Sequence, residues 1–149
     1  MLIMPAIDLK DGEAVRLYKG DYKNKTVYSK KPEEVAKKVQ TLGAKYLHIV
    51  DLDGARDGKC INLNAIKNIR NNVNIPIEIG GGIRDKEKVK MYLEDLKVDR
   101  VVLGTAAVNN FEFLKKMINA YGSEKIIVSV DVSNSCVMTS GWEKNSKIE

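Results

Sequence analysis

The sequence predicts an α/β domain built on a parallel sheet. Short apolar, β-branched runs alternate with longer amphipathic patterns, in units of roughly 25–45 residues. Each run ends in aspartate or glycine: Asp8, Asp51, Gly80, Gly104 and Asp131. Twice, at Gly80-Gly81-Gly82 and at Gly104-Thr105, a strand passes through glycine straight into a helical pattern. Near-continuous apolar strands alternating with helices give a parallel sheet covered by helices. Two architectures fit. A doubly wound open sheet of five strands suits the length. A (β/α)8 barrel, at about 250 residues when whole, would be incomplete. Periodicity alone does not separate them.

The first strand is expected over Leu2–Ile7, ending at Asp8. Residues 9–31 are long for a connection, and the alternation at Ala14-Val15-Arg16-Leu17-Tyr18 predicts a hairpin arm. Pro32 and two acids open a helix whose buried face carries Val35, Val39 and Leu42, and Gly43 stops it. The second strand is Tyr46–Val50, and Asn62 starts a helix with Leu63, Ile66 and Ile69 in phase. Ile75–Ile79 forms the third strand, and Asp85 caps the helix that follows. Arg100–Leu103 is the fourth strand, followed by a helix over 110–121 that closes at Gly122. Ile126–Val130 is the fifth strand, and Cys136-Val137-Met138 reads as a short strand in the tail.

The 149 residues, 44% hydrophobic and 30% charged, are enough for one domain with a core. No run approaches the ~18 apolar residues of a membrane span. The N-terminus lacks a secretion signal, and two distant cysteines, Cys60 and Cys136, fit a reduced cytoplasmic setting. The net charge of +5 is spread over helix faces without interleaved aromatics, which argues against nucleic acid and favours an anionic small molecule. No metal-ligand spacing is present in the sequence.

The carboxyl ends of parallel strands face the ligand in either architecture. Asp8 and Asp131, each after an apolar run, are expected at the bottom of a pocket, where two carboxylates in different surroundings serve as acid and base. Asp51 and Asp53 could equally cap a helix or orient a loop. Glycines at a strand-to-helix turn permit positive φ and let a phosphate approach bare N–H groups. His48, the one histidine, lies mid-strand on the face opposite Asp51, where a hydrogen-bonded core role competes with a site role. Arg16, in the long first loop, could close over an anion, and Trp142 could act as a lid aromatic.

Pro5-Ala6-Ile7-Asp8-Leu9-Lys10-Asp11-Gly12, Val15-Arg16-Leu17 and Gly20-Asp21-Tyr22 closely resemble the opening of the phosphoribosylformimino-5-aminoimidazole carboxamide ribotide isomerases of histidine biosynthesis. His48-Ile49-Val50-Asp51-Leu52-Asp53-Gly54-Ala55, Gly80-Gly81-Gly82-Ile83-Arg84, Gly104-Thr105-Ala106-Ala107, Asp131 and Gly141-Trp142 follow in the family's order. The resemblance implies an incomplete (β/α)8 TIM barrel: parallel strands one to five with four helices, a single half-barrel domain over residues 1–149 lacking the C-terminal half. It implies an Amadori rearrangement of an aminoaldose with two phosphates, without metal or organic cofactor. Asp8 would be the proton acceptor and Asp131 the donor. Gly81, Gly82, Gly104 and Thr105 would cradle one phosphate, with Arg16 on the substrate and His48 and Trp142 as further contacts. The family's second phosphate site belongs to later strands that this sequence does not contain. Sheet edges at the first and fifth strands are therefore expected to be unpaired and apolar, and the chain to be a fragment, part of a split protein completed by a C-terminal half, or a self-associating half-barrel. The related cyclase of the pathway and a non-catalytic phosphate-binding half-barrel are the competing functions. A doubly wound receiver-like domain is the third, and strand order separates it from the barrel.

Overall fold

The computed structural model describes residues 3–133, 136–139 and 144–146. β1 (Ala6–Lys10) turns through Asp11-Gly12 into β2 (Glu13–Tyr18), which turns through Lys19-Gly20 into β3 (Asp21–Ser29). All four turn residues have positive φ, between 51° and 78°, the twist that matches two-residue hairpins. The predicted hairpin arm is therefore present. The first strand differs from expectation: it begins at Ala6 and runs to Lys10, because β2 supplies antiparallel partners to Asp8, Leu9 and Lys10. Asp8 is mid-strand.

Four βα units follow. α1 (Pro32–Thr41), β4 (Leu47–Asp51), α2 (Leu52–Asp57), α3 (Leu63–Asn72), β5 (Ile77–Gly80) and α4 (Lys86–Lys90) lead into a π-helical turn over Met91–Asp95. β6 (Arg100–Leu103), α5 (Thr105–Asn109), α6 (Phe111–Tyr121) and β7 (Ile126–Val128) complete the main sheet. The described residues thus hold more helices than the four expected. The additions are the short α2, capped by Asp51, and the short α5 after Gly104. Leu42, expected on the buried face of α1, is 78% exposed, because the helix ends at Thr41 and Ala36 occupies that face. The wide π-turn sets the consecutive Tyr92 and Leu93 both into the core.

The seven-stranded sheet has the order β3-β2-β1-β4-β5-β6-β7, and β1, β4, β5, β6 and β7 are parallel in sequence order. That order belongs to a barrel, since a doubly wound sheet reverses direction at a switch point. The sheet is not closed. One row of register partners, Ile7, Ile49, Ile79, Val101 and Ile126, is buried and packs with Ile66, Ile69, Val89, Tyr92 and Met117 from the helices. The alternate rows face the other way. They are Asp8, Val50, Gly80, Val102 and Ile127, then Ala6, His48, Glu78 and Arg100. This polar face would line a barrel's interior.

The fifth parallel strand is shorter than expected. It stops at Val128, and Asp131 opens β8 (Asp131–Ser133) in a separate antiparallel sheet with β9 (Cys136–Thr139) and β10 (Lys144–Asn145). The edge expectation holds on one side only. β7 has no described partner beyond β6, and Val128, Val130 and Val132 beside it are 43–63% exposed, whereas β1 is covered by β2. No helix of the described residues is long and apolar enough to cross a membrane.

Gly81 and Gly82 fit this packing tightly. At φ 110° and 70°, a Cβ on Gly81 would lie 2.2 Å from the Asp51 carbonyl oxygen, and one on Gly82 2.3 Å from that of Gly54. Gly43, at φ 97°, has open space around its missing Cβ. Gly43→Ala should cost about 1–2 kcal/mol through its backbone conformation alone. Gly81→Ala should cost about 3 kcal/mol or more, since conformational strain and a backbone clash add. Denaturant unfolding of the two variants beside the parent measures the difference.

Candidate active site

The C-terminal ends of β1 and β4 are tied together by buried polar groups. Asp51 and Asp53 are 0% and 2% exposed. Asp51 caps α2 by accepting from the Gly54 N–H at 2.8 Å, and it accepts from Asn62 Nδ2 at 2.6 Å. Asn62 Nδ2 also lies 3.1 Å from Asp53, and Asn62 Oδ1 accepts from the Gly12 N–H at 2.7 Å. Asp53 accepts from the Asp11 N–H at 2.7 Å. Asp51 thus caps a helix, and Asp53 orients the loop after β1. Burial pushes the Asp51 carboxyl above its ordinary range, against the hydrogen bonds that hold it down. Asn62 was read from sequence only as a helix start. Its bridging role becomes visible only when residues 50 positions apart meet.

Two clefts flank this network. One, of about 250 Å3, is lined by His48, Val50, Gly80, Gly81, Gly82, Gly104, Thr105, Ser129, Asp131 and Met138 among others. The other, of about 460 Å3, is lined by Asp8, Val15, Arg16, Gly20 and Tyr28 among others. Leu52 borders both. The structure therefore gathers Gly81, Gly82, Gly104, Thr105, His48 and Asp131 in one cleft and places Asp8 and Arg16 in the next. Asp131 is exposed, not at the bottom of a pocket, because the chain leaves the main sheet at Val128. Trp142 lies outside the described residues.

Asp8 sits on the polar face in register with Val50, one position diagonal from His48. Burial raises its carboxyl above the ordinary value of 3.8, and the charges of His48 and then Arg16 work in the opposite direction. Such a carboxylate is a stronger base than a solvated one. The glycines divide into two kinds. Gly81 and Gly82 are required by the backbone they touch. Gly104 has φ −98°, and a Cβ there would meet the Ser129 carbonyl at an ordinary 3.7 Å. Packing does not demand glycine at 104.

His48 is paired within the sheet. Its Nδ1 lies 2.7 Å from Oε1 of Glu78, the register partner on β5. Glu78 was not singled out from sequence. The strand alternation that placed His48 on the open face places Glu78 there too.

A family model described as histidine biosynthesis protein matches residues 2–149. A Lactococcus lactis subsp. cremoris protein named as a 1-(5-phosphoribosyl)-5-((5-phosphoribosylamino)methylideneamino) imidazole-4-carboxamide isomerase is 56% identical over 142 residues, 95% of this chain and 58% of its own length. Proteins of the same name from Aliarcobacter butzleri and Oceanobacillus iheyensis are 51% and 47% identical over 149 residues, 100% of this chain and 62% and 61% of theirs. The chain thus spans about 60% of the length of the curated relatives it matches.

Folding raises the proton affinity of Asp8, so its contribution to stability is present below pH 3.8 and is lost as pH rises through the folded-state value. Asp8→Asn should therefore raise Tm at pH 7 by a few degrees, and the gain should vanish near pH 3. Asn62→Ala should lower stability by about 2–4 kcal/mol at pH 7, because it strips partners from two buried carboxylates and the Gly12 N–H. Thermal melts of both variants across pH test the two signs.

Proposed function

The chain belongs to the histidine biosynthesis protein family, and from that footing we propose that its strand ends form the N-terminal share of an aldose–ketose isomerase centre. The substrate is an aminoaldose ribotide bearing two phosphates, and the reaction is an Amadori rearrangement. The observation that carries this reading is Asp8: a partly buried carboxylate of raised basicity on the barrel-facing side, beside His48 and Arg16. Relatives 47–56% identical bear the isomerase name, which favours this activity over the cyclase.

In the proposed reaction Asp131 gives a proton to the ribose ring oxygen. The C1′–O bond breaks, and the nitrogen lone pair forms the C1′ iminium. Asp8 then removes the C2′ proton, and the electron pair left on C2′ neutralises the iminium as an enolamine. Loss of the enol proton and protonation at C1′ give the aminoketose. The cleft side of Gly81, Gly82, Gly104 and Thr105 takes one phosphate, since bare N–H groups suit phosphate oxygens. Arg16 neutralises charge from the neighbouring cleft, and His48 and Trp142 contact the substrate. No cofactor takes part, and the setting is the cytoplasm.

The second phosphate falls to strands that a complete barrel would add, supplied by a complementary C-terminal half or by a second copy. The exposed valines beside β7 support that completion. A phosphate-binding module without catalysis is the second reading, favoured by the separation of Asp8 and Asp131 into adjacent clefts.

Turnover of the aminoaldose by the chain, alone and mixed with a C-terminal half of a related isomerase, separates the two. The isomerase reading expects turnover in the mixture and a loss of at least ~100-fold in Asp8→Asn. Absence of turnover in a folded, associated mixture leaves the binding module. Gly104→Ala should weaken ribose 5-phosphate binding while destabilising the fold less than Gly81→Ala, as calorimetry would show.

A further inference from the structure

Glu78 is 8% exposed, yet its strand position faces the open side of the sheet. Its two register neighbours are His48 on β4 and Arg100 on β6. Arg100 turns to the Tyr46 ring, with its guanidinium carbon 5.3 Å from the ring centre. Oε1 of Glu78 instead meets Nδ1 of His48 at 2.7 Å, a short, charge-assisted distance. A carboxylate can only accept, so Nδ1 of His48 carries the proton. In the neutral ring, Nε2 is then left with a lone pair. The same imidazole lines the 250 Å3 cleft that contains Gly81, Gly104 and Asp131.

We propose that Glu78 is a positioning residue: it fixes the His48 ring through Nδ1, so that Nε2 is presented to the cleft as the acceptor for a sugar hydroxyl. The inference deepens the proposed isomerase site and rests on that reading for the identity of the ligand as a ribose phosphate. It adds a specificity element, because a fixed lone pair favours an O–H donor over a carbonyl or phosphate oxygen at the same spot. A ring free to turn would accept or donate with no preference. A buried carboxylate holding an imidazole is the arrangement by which proteins select one tautomer.

His48 is the only histidine, so its two ring nitrogens give the only imidazole 15N signals of the chain. Long-range 1H–15N correlation spectra of the labelled full chain at neutral pH read the tautomer directly. The parent should show the Nδ1–H form, and Glu78→Gln, which keeps an acceptor, should retain it. Glu78→Met should move the population to the Nε2–H form. Ribose 5-phosphate should shift the Nε2 resonance of the parent more than Nδ1. An Nε2–H tautomer in the parent overturns the proposal without any variant, so a failure of Glu78→Met to fold does not shield it. An unchanged tautomer in folded Glu78→Met overturns it, and so does a ribose 5-phosphate titration that moves the Gly81 and Gly104 amides but leaves Nε2 still. Loss of turnover with the Nδ1–H tautomer intact counts against the isomerase reading alone.

Discussion

The fold depends on one crowded crossing, where the turn after β5 lies across the turn after β4. The Asp51 and Gly54 carbonyls occupy the space that Gly81 and Gly82 leave by having no Cβ. The side chain of Asp51 points the other way, into the Asn62 bridge, which reaches back to the loop after β1. Close approach of backbone and a buried carboxylate network thus meet at one residue. Neither works without the other. The network fixes the loop that the glycines press against, and the pressed loop keeps water from the carboxylates, whose burial is costly unless every oxygen is matched.

From that crossing follows a division of labour between the two faces of the parallel strands. The helix side is apolar along the row from Ile7 across to Ile126 and supplies most of the core, with Asp51 the charged exception one row on. The other side carries Asp8, His48, Glu78 and Arg100, groups that would be costly in an apolar core. Stability and chemistry alternate residue by residue along each strand, which is the barrel's solution to holding reactive groups on rigid backbone.

Much of this was legible in the sequence. The apolar runs located the parallel strands, Asp85 and Pro32 marked helix starts, and the alternation at Ala14–Tyr18 announced the hairpin arm. Strand order was not legible in periodicity, which reports an element and not its neighbour; the family resemblance supplied it. Asp8 read as a strand end because polarity usually stops a buried strand, and the partner that extends β1 to Lys10 comes from the hairpin. The glycines at 81 and 82 read as a turn open to a ligand, and the structure adds a second demand for glycine there, since backbone from another turn fills the space of the missing Cβ atoms. Composition cannot distinguish these two uses. Asn62 and Glu78 were missed for a related reason: both act through residues distant in sequence, at 50 and 30 positions.

The two rims of the sheet have opposite characters. On one rim lies β3, whose largely exposed residues, Lys23 among them, disfavour a further strand. The other rim, β7, is three residues long and flanked by exposed valines. A ribbon with one adhesive rim can be joined only once. Pairing of β7 with a like strand would use up the adhesive rim of both copies and stop at two. A sheet adhesive on both rims would add copies head to tail without limit. The hairpin that lengthens the first strand thus also caps that rim of the described sheet, leaving β7 as the rim where a further strand would add.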